Sequence, residues 1–218
     1  MCLNLKIPEI LKKKPEPEPE PEIMETSTEQ VTIFKGHISE NYFKEIYEKL
    51  RLVIHFTAGN MPGAENWLNF HTNKVNVPFI ICRNGNINEY FDPKYWAYHT
   101  GVGLCRESIG IEIECWGGLD FDNGYFLPWT GDKSQAVSPE RVLTTSLWRG
   151  KRYWEMLTFK QVISLDYLVK LMINDFSKIR TVCTHADINA EKTDYPPEYK
   201  QVYDIVNKYN NSILLKSG

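Results

Sequence analysis

His55, His185 and Asp194 lie far apart in the chain, yet each sits where a side chain can be held for chemistry. His55 ends the apolar run Leu52-Val53-Ile54, and His185 ends Thr181-Val182-Cys183-Thr184. An acid-containing loop then runs to Asp194, just before Tyr195-Pro196-Pro197, which stiffens the backbone. Two imidazoles and a carboxylate are a common ligand set for a catalytic zinc and leave one coordination position open. Lys192, two residues before Asp194, offers a cation where an oxyanion would develop. Between the two histidine segments, Ser108-Ile109-Gly110-Ile111-Glu112-Ile113-Glu114 alternates apolar and polar residues. One face of this strand therefore carries two carboxylates, either of them suited to general-base work. Ligands, base and oxyanion stabiliser describe a metal-assisted hydrolase. Singly, each has a plainer reading. A strand histidine is more often a hydrogen-bonded core residue, and Glu112 and Glu114 read equally well as surface carboxylates. Cys183 shares a strand face with His185 and competes as a ligand with its reading as core.

The elements that must position these groups are legible in part. The spacing of Phe43, Ile46, Tyr47 and Leu50 predicts a helix over 40–49, followed by a buried strand over 51–56. A helix is expected over 62–74. Asn84-Gly85 between two apolar runs predicts a hairpin of Phe79–Cys82 with Ile87–Phe91. Residues 116–157, rich in Gly, Trp and Tyr, read as an ordered but irregular insertion. Thr158 and Gln161 form a capping-box start for a long helix with Val162, Leu165, Leu168, Met172 and Phe176 on its apolar stripe. A last helix is expected over 196–209. Strands and helices interleave, which predicts an α/β domain with a mixed central sheet flanked by helices.

Composition narrows the function. The chain has 218 residues, fitting one domain plus a tail, and 42% hydrophobic residues, ample for a core. A formal charge of -3 and a pI near 6.0 argue against a nucleic-acid binder. No stretch approaches the ~20 apolar residues that span a bilayer. Five cysteines without a CxxC pair suggest reduced thiols; Cys105 and Cys115 are a conceivable pair only in an oxidising space. Residues 1–29 are expected to be a tail, whose alternating Pro and Glu over 15–22 favour an extended spacer of roughly 25 Å. The catalytic domain is placed at 30–218. Asp120 and Asp122 resemble part of a calcium loop but lack its downstream glutamate.

Four segments in order, Ile54-His55-Phe56-Thr57-Ala58-Gly59, Tyr98-His99-Thr100-Gly101, Ser108-Ile109-Gly110-Ile111-Glu112 and Thr184-His185…Lys192-Thr193-Asp194, resemble the zinc-dependent N-acetylmuramoyl-L-alanine amidases of the type 2 amidase and peptidoglycan-recognition-protein family. The resemblance implies one zinc held by His55, His185 and Asp194, Glu112 as catalytic base and Lys192 as support for the tetrahedral intermediate. His99 is implied to line the substrate cleft, with Tyr98, Trp96 and Trp116 as candidate sugar-stacking aromatics beside it. Asp194 places the chain with relatives that use aspartate, not cysteine, as third ligand. Two departures stand out: a loop from His185 to Asp194 one residue shorter than in many relatives, and Tyr195 where a small residue often follows the last ligand. The implied partner is peptidoglycan, glycan plus stem peptide, bound by a monomer without nucleic acid or membrane insertion. Lacking a recognisable export signal, the chain is expected to be made in the cytoplasm and, as a phage-type endolysin, to act on the cell wall. A non-catalytic peptidoglycan-binding module, a cytosolic anhydro-muropeptide recycling amidase and another zinc amidohydrolase on the same fold are the alternatives.

Overall fold

The computed structural model describes residues 31–35, 39–70, 72–101 and 103–217. The expected tail over 1–29, with its Pro-Glu spacer, lies outside the described residues. A six-stranded mixed sheet is built from β1 (Ile33–Phe34), β2 (Arg51–Phe56), β3 (Phe79–Ile81), β4 (Ile87–Glu89), β5 (Ser108–Ile113) and β10 (Thr181–Thr184), in the order β1-β4-β3-β5-β2-β10. The expected hairpin is present as β3 and β4, which pair antiparallel. β3, β5, β2 and β10 run parallel, with His55 opposite Glu112 and Ile54 opposite Thr184.

Alternation along β5 sends Ile109, Ile111 and Ile113 into the main core with Leu52 and Ile54 of β2. That face is covered by α2 (Phe159–Asp175) and α4 (Lys200–Ser217) through Leu165, Leu168, Val169, Met172, Val202 and Ile205. Each such aliphatic side chain, fully buried, contributes about 1.5–3 kcal/mol. Thr158 caps α2 in the reciprocal box with Gln161 that the sequence predicts. On the opposite face, Ile80 packs with Leu68 of α1 (Met61–Phe70) and with Val77, Tyr90, Phe91 and Ala97. This face carries the alternate residues of β5, Ser108, Gly110 and Glu112.

Four expectations change. Residues 40–49 form no helix; the segment is an extended strap. Phe43 bridges its backbone to Trp96 and stacks on that ring at 4.1 Å, Tyr42 stacks on Phe91 at 4.6 Å, and Lys49 Nζ donates to the carbonyls of Tyr95 and Arg106. Long-range backbone pairing and aromatic stacking override the helical spacing here. α1 stops at Phe70, and the last helix is α4, starting at Lys200 rather than 196. The insertion is not irregular. It folds as a second, antiparallel sheet in the order β7-β6-β9-β8, from β6 (Gly118–Asp122), β7 (Tyr125–Leu127), β8 (Val142–Trp148) and β9 (Lys151–Glu155). Its hairpins turn at Asn123-Gly124 and Arg149-Gly150, where both residues have positive φ (49° and 86°, 47° and 84°), the geometry of a type I′ turn. Glu155, buried at the end of β9, accepts from both Arg83 and Arg141 and from the Trp116 amide, tying this sheet to the end of β3. Asp120 lies on β6 and pairs with Lys151.

Candidate active site

The carboxyl ends of the parallel strands are where α/β sheets bind ligands, and here they carry the polar residues. His55 is the fifth residue of β2, Glu112 the fifth of β5, and His185 directly follows β10 as the first residue of the short helix α3 (His185–Ile188). The loop after α3 returns Asp194 to the edge of β2, where its Oδ1 accepts from the Phe56 amide at 3.2 Å. Tyr195 follows with φ +50°, fully buried, its hydroxyl donating to the His55 carbonyl at 3.3 Å. The bulky residue after Asp194 therefore fastens the loop to β2.

His55, His185 and Asp194 are all buried, and their ligand atoms lie within 4.8 Å of one another. Nδ1 of His55 faces Nδ1 of His185 at 2.9 Å, and Asp194 Oδ2 is 3.3 Å from the latter. His185 Nε2 is turned away, 2.9 Å from the Thr100 carbonyl, which can only accept. On a neutral ring Nδ1 of His185 is then a bare lone pair. Electron-pair donors crowded around one point repel each other and fit a cation between them, so the donor set suits a divalent metal. Cys183 is not part of it: the thiol is buried and points at the Leu52 carbonyl. The described cysteines Cys82, Cys105, Cys115 and Cys183 are free thiols.

The two carboxylates of β5 have different surroundings. Glu114 accepts from the amides of Met61 and Arg83 and pairs with the Arg83 guanidinium, so its lone pairs are used in holding loops. Glu112 faces the groove, and its buried Oε2 has no hydrogen-bond partner among the described residues. Burial first, then the Asp194 carboxylate, push the Glu112 carboxyl up to about 8, with Lys192 opposing. Burial, then His99, His185 and Lys192, hold His55 well below the usual imidazole range, so that ring is neutral.

These residues line a groove of about 790 Å³ together with Lys192, Tyr98, His99, Trp116, Trp67 and Trp129. Of the aromatics expected there, Tyr98 and Trp116 line it. Trp96 does not: it is buried, stacked on Phe43, with the Arg106 guanidinium 5.0 Å over its ring. His99 reaches the groove but also contacts His55, with Nδ1 3.0 Å from His55 Nε2. Two lining residues stand outside the expected set: Trp67 on α1 and Trp129 in the insertion, 57% and 69% exposed. Trp129 Nε1 donates to the Ala58 carbonyl, fixing that ring at the rim. A tryptophan on an amphipathic helix reads as core, and only the fold of the insertion brings Trp129 across.

Fold and site define an α/β domain with a two-histidine, one-carboxylate cluster able to hold a metal at the sheet's carboxyl edge. The chain belongs to the N-acetylmuramoyl-L-alanine amidase family (Amidase_2), whose sequence profile matches residues 49–198. Its reaction is hydrolysis of the amide between N-acetylmuramic acid and L-alanine of peptidoglycan. The match takes in every site residue named above. Among solved structures the fold is similar to the amidase LysC from Clostridium intestinale URNW (15% identity, TM-score 0.50, covering 84% of this chain and 99% of that one). It is also similar to AmpDh3 from Pseudomonas aeruginosa (18%, 0.51, 74% and 61%). A third is AmiD from E. coli, solved with anhydro-N-acetylmuramic acid-L-Ala-D-γ-Glu-L-Lys (22%, 0.50, 74% and 59%). At these identities the likeness establishes the fold alone. No curated protein sequence gives a significant match.

Proposed function

We propose that this amidase is zinc-dependent, of the type shared with peptidoglycan recognition proteins, and that it works as a phage-type lytic enzyme on polymeric cell wall. The observation that carries the reading is the convergence of His55, His185 and Asp194 donors within 4.8 Å, beside the unpartnered Oε2 of Glu112. Bound to these three residues, zinc supplies Lewis-acid activation of the amide carbonyl and of the attacking water. Glu112 takes the proton from that water on its free oxygen and returns it to the departing L-alanine nitrogen. Its raised carboxyl would be drawn back toward the working pH by a cation on the adjacent donors. Lys192, exposed on the rim, faces the oxyanion with a compact positive charge. Trp67 and Trp129 stand exposed on the groove, suited to stacking on sugar rings, which favours a glycan chain over a short soluble fragment.

The test is digestion of purified sacculi with enzyme, with chelated enzyme and with zinc-restored enzyme, followed by mass analysis. Intact stem peptides with a free L-alanine amine, lost on chelation and regained with zinc, are expected. Tight sacculus binding without cleavage in the presence of zinc, or undiminished activity after chelation, refutes the zinc mechanism. Faster turnover of soluble anhydro-muropeptide than of sacculi refutes the lytic role.

A further inference from the structure

A metal-binding histidine presents one ring nitrogen, and what holds the other nitrogen decides which tautomer is available. The outer partners of both candidate histidine ligands come from one short stretch, residues 99–108. Ser108 Oγ donates its single proton to the Leu104 carbonyl at 2.7 Å. Toward His99 Nε2, 3.0 Å away, that oxygen can only accept, so His99 carries its proton on Nε2. His99 Nδ1 is then a lone pair, and it accepts from His55 Nε2 at 3.0 Å. His55 is left with a bare Nδ1, the atom that faces His185 and Asp194. The next residue does the same for the second ligand: the Thr100 carbonyl takes the proton of His185 Nε2 at 2.9 Å.

The stretch is built to stay in place. Cys105 Sγ lies 3.3 Å from the His99 amide, 3.4 Å from the Thr100 amide and 3.1 Å from the Thr100 hydroxyl. Asn189 Nδ2 donates to the same Thr100 carbonyl at 3.1 Å. Gly110 leaves room for the His99 ring, since a Cβ at 110 would sit 3.0 Å from His99 Nδ1.

We infer that His99, the Thr100 carbonyl and Ser108 form a positioning cradle that fixes His55 and His185 in the tautomer presenting Nδ1 to the metal. The inference rests on the zinc reading and goes beyond it: His99 acts through His55, in addition to lining the groove, and Ser108 acts through His99. None of the three is a catalytic residue. The chain of donors and acceptors runs one way, from the His55 ring to a backbone carbonyl, so any member that cannot pass on the polarity breaks it.

The test compares His99→Leu, His99→Asn and Ser108→Ala by zinc affinity, measured by competition with a chromophoric chelator on protein shown folded by circular dichroism. Asn and Leu have nearly the same shape, but only Asn offers an oxygen close to the position of Nδ1. His99→Leu is expected to lose roughly 10–100-fold in zinc affinity, with His99→Asn recovering most of that loss and Ser108→Ala falling between. Long-range proton–nitrogen correlation of the zinc-loaded wild type should find the protons of His55, His99 and His185 on Nε2. Equal affinity for the Leu variant, no recovery by Asn, or a protonated Nδ1 on His99 overturns the cradle while leaving the zinc reading intact. Wild-type protein that takes up no zinc overturns the zinc reading itself.

Discussion

Replacing Glu112 by glutamine should inactivate the enzyme while making the metal-free protein less sensitive to rising pH. The folded state raises this carboxyl from 4.5 to about 8, because burial and the neighbouring Asp194 both disfavour its charge. A group whose folded value lies above its unfolded value binds more protons when folded, so its contribution to stability falls as pH rises between the two values. At 1.36 kcal/mol per pH unit, the carboxyl costs the folded state about 1 kcal/mol at pH 5 and about 4 kcal/mol at pH 8. The residue is partly open to the groove, so these are upper figures. Glutamine cannot ionise, and its buried amide carries a roughly constant cost at all pH values. The stability difference between Glu112→Gln and wild type should therefore grow by up to about 3 kcal/mol from pH 5 to pH 8. Urea unfolding of both proteins in chelator, at three or four pH values, measures that growth directly. Repeated with zinc, the growth should shrink, because a cation on the three donors favours the carboxylate. The same variant should bind zinc and lose about 10²–10⁴-fold in turnover of sacculi. Stability curves that stay parallel across this range would refute the burial argument, and a fully active variant would refute the base assignment.

Two further substitutions probe the supports of the site. Gly110→Ala places a methyl group 2.5 Å from Val77 Cγ1 and 3.0 Å from His99 Nδ1; a loss of about 1–3 kcal/mol in stability and weaker zinc binding are expected, read by thermal melting and chelator competition. Trp129→Ala removes an exposed ring held only at the rim. Binding to sacculi should weaken a few-fold to about tenfold, by pelleting assay, while stability shifts by no more than about 0.5 kcal/mol; unchanged sacculus binding would remove Trp129 from the glycan path.

Residues whose side chains act directly leave a trace in the sequence, and those that act through the backbone do not. The strands that carry the site were legible because they are buried on both sides and closed by polar residues, as in Leu52-Val53-Ile54-His55 and Ile109-Gly110-Ile111-Glu112. The capping box of Thr158 and the Asn84-Gly85 turn were legible because each is a local rule satisfied within a few residues. The strap over 40–49 shows the limit: its helical spacing puts Ile46 on the apolar stripe, yet Ile46 is 67% exposed, because Phe43 and Tyr42 find aromatic partners fifty residues away. The insertion hides its sheet from the sequence for a related reason. Asn123-Gly124 is as good a hairpin signal as Asn84-Gly85, but β6 before it is mostly exposed and carries two aspartates, and β7 after it is only three residues long, so the long apolar run that makes such a signal persuasive is missing.

The site divides the same way. Pattern alone left Glu112 and Glu114 equivalent on one strand face. What separates them is a pair of backbone amides, from Met61 and Arg83, that occupy Glu114 and leave Glu112 free. Cys183 and Asp194 are separated by where a loop returns, and that return is secured by the Tyr195 hydroxyl on the His55 carbonyl. The Thr100 carbonyl has no side-chain signature at all, since any residue supplies a carbonyl; its role exists only because Cys105 and Asn189 hold that peptide against His185. A site of this kind reads from sequence as a set of chemical groups. Which member of a chemically equivalent pair acts is decided by who else is already hydrogen-bonded to the other.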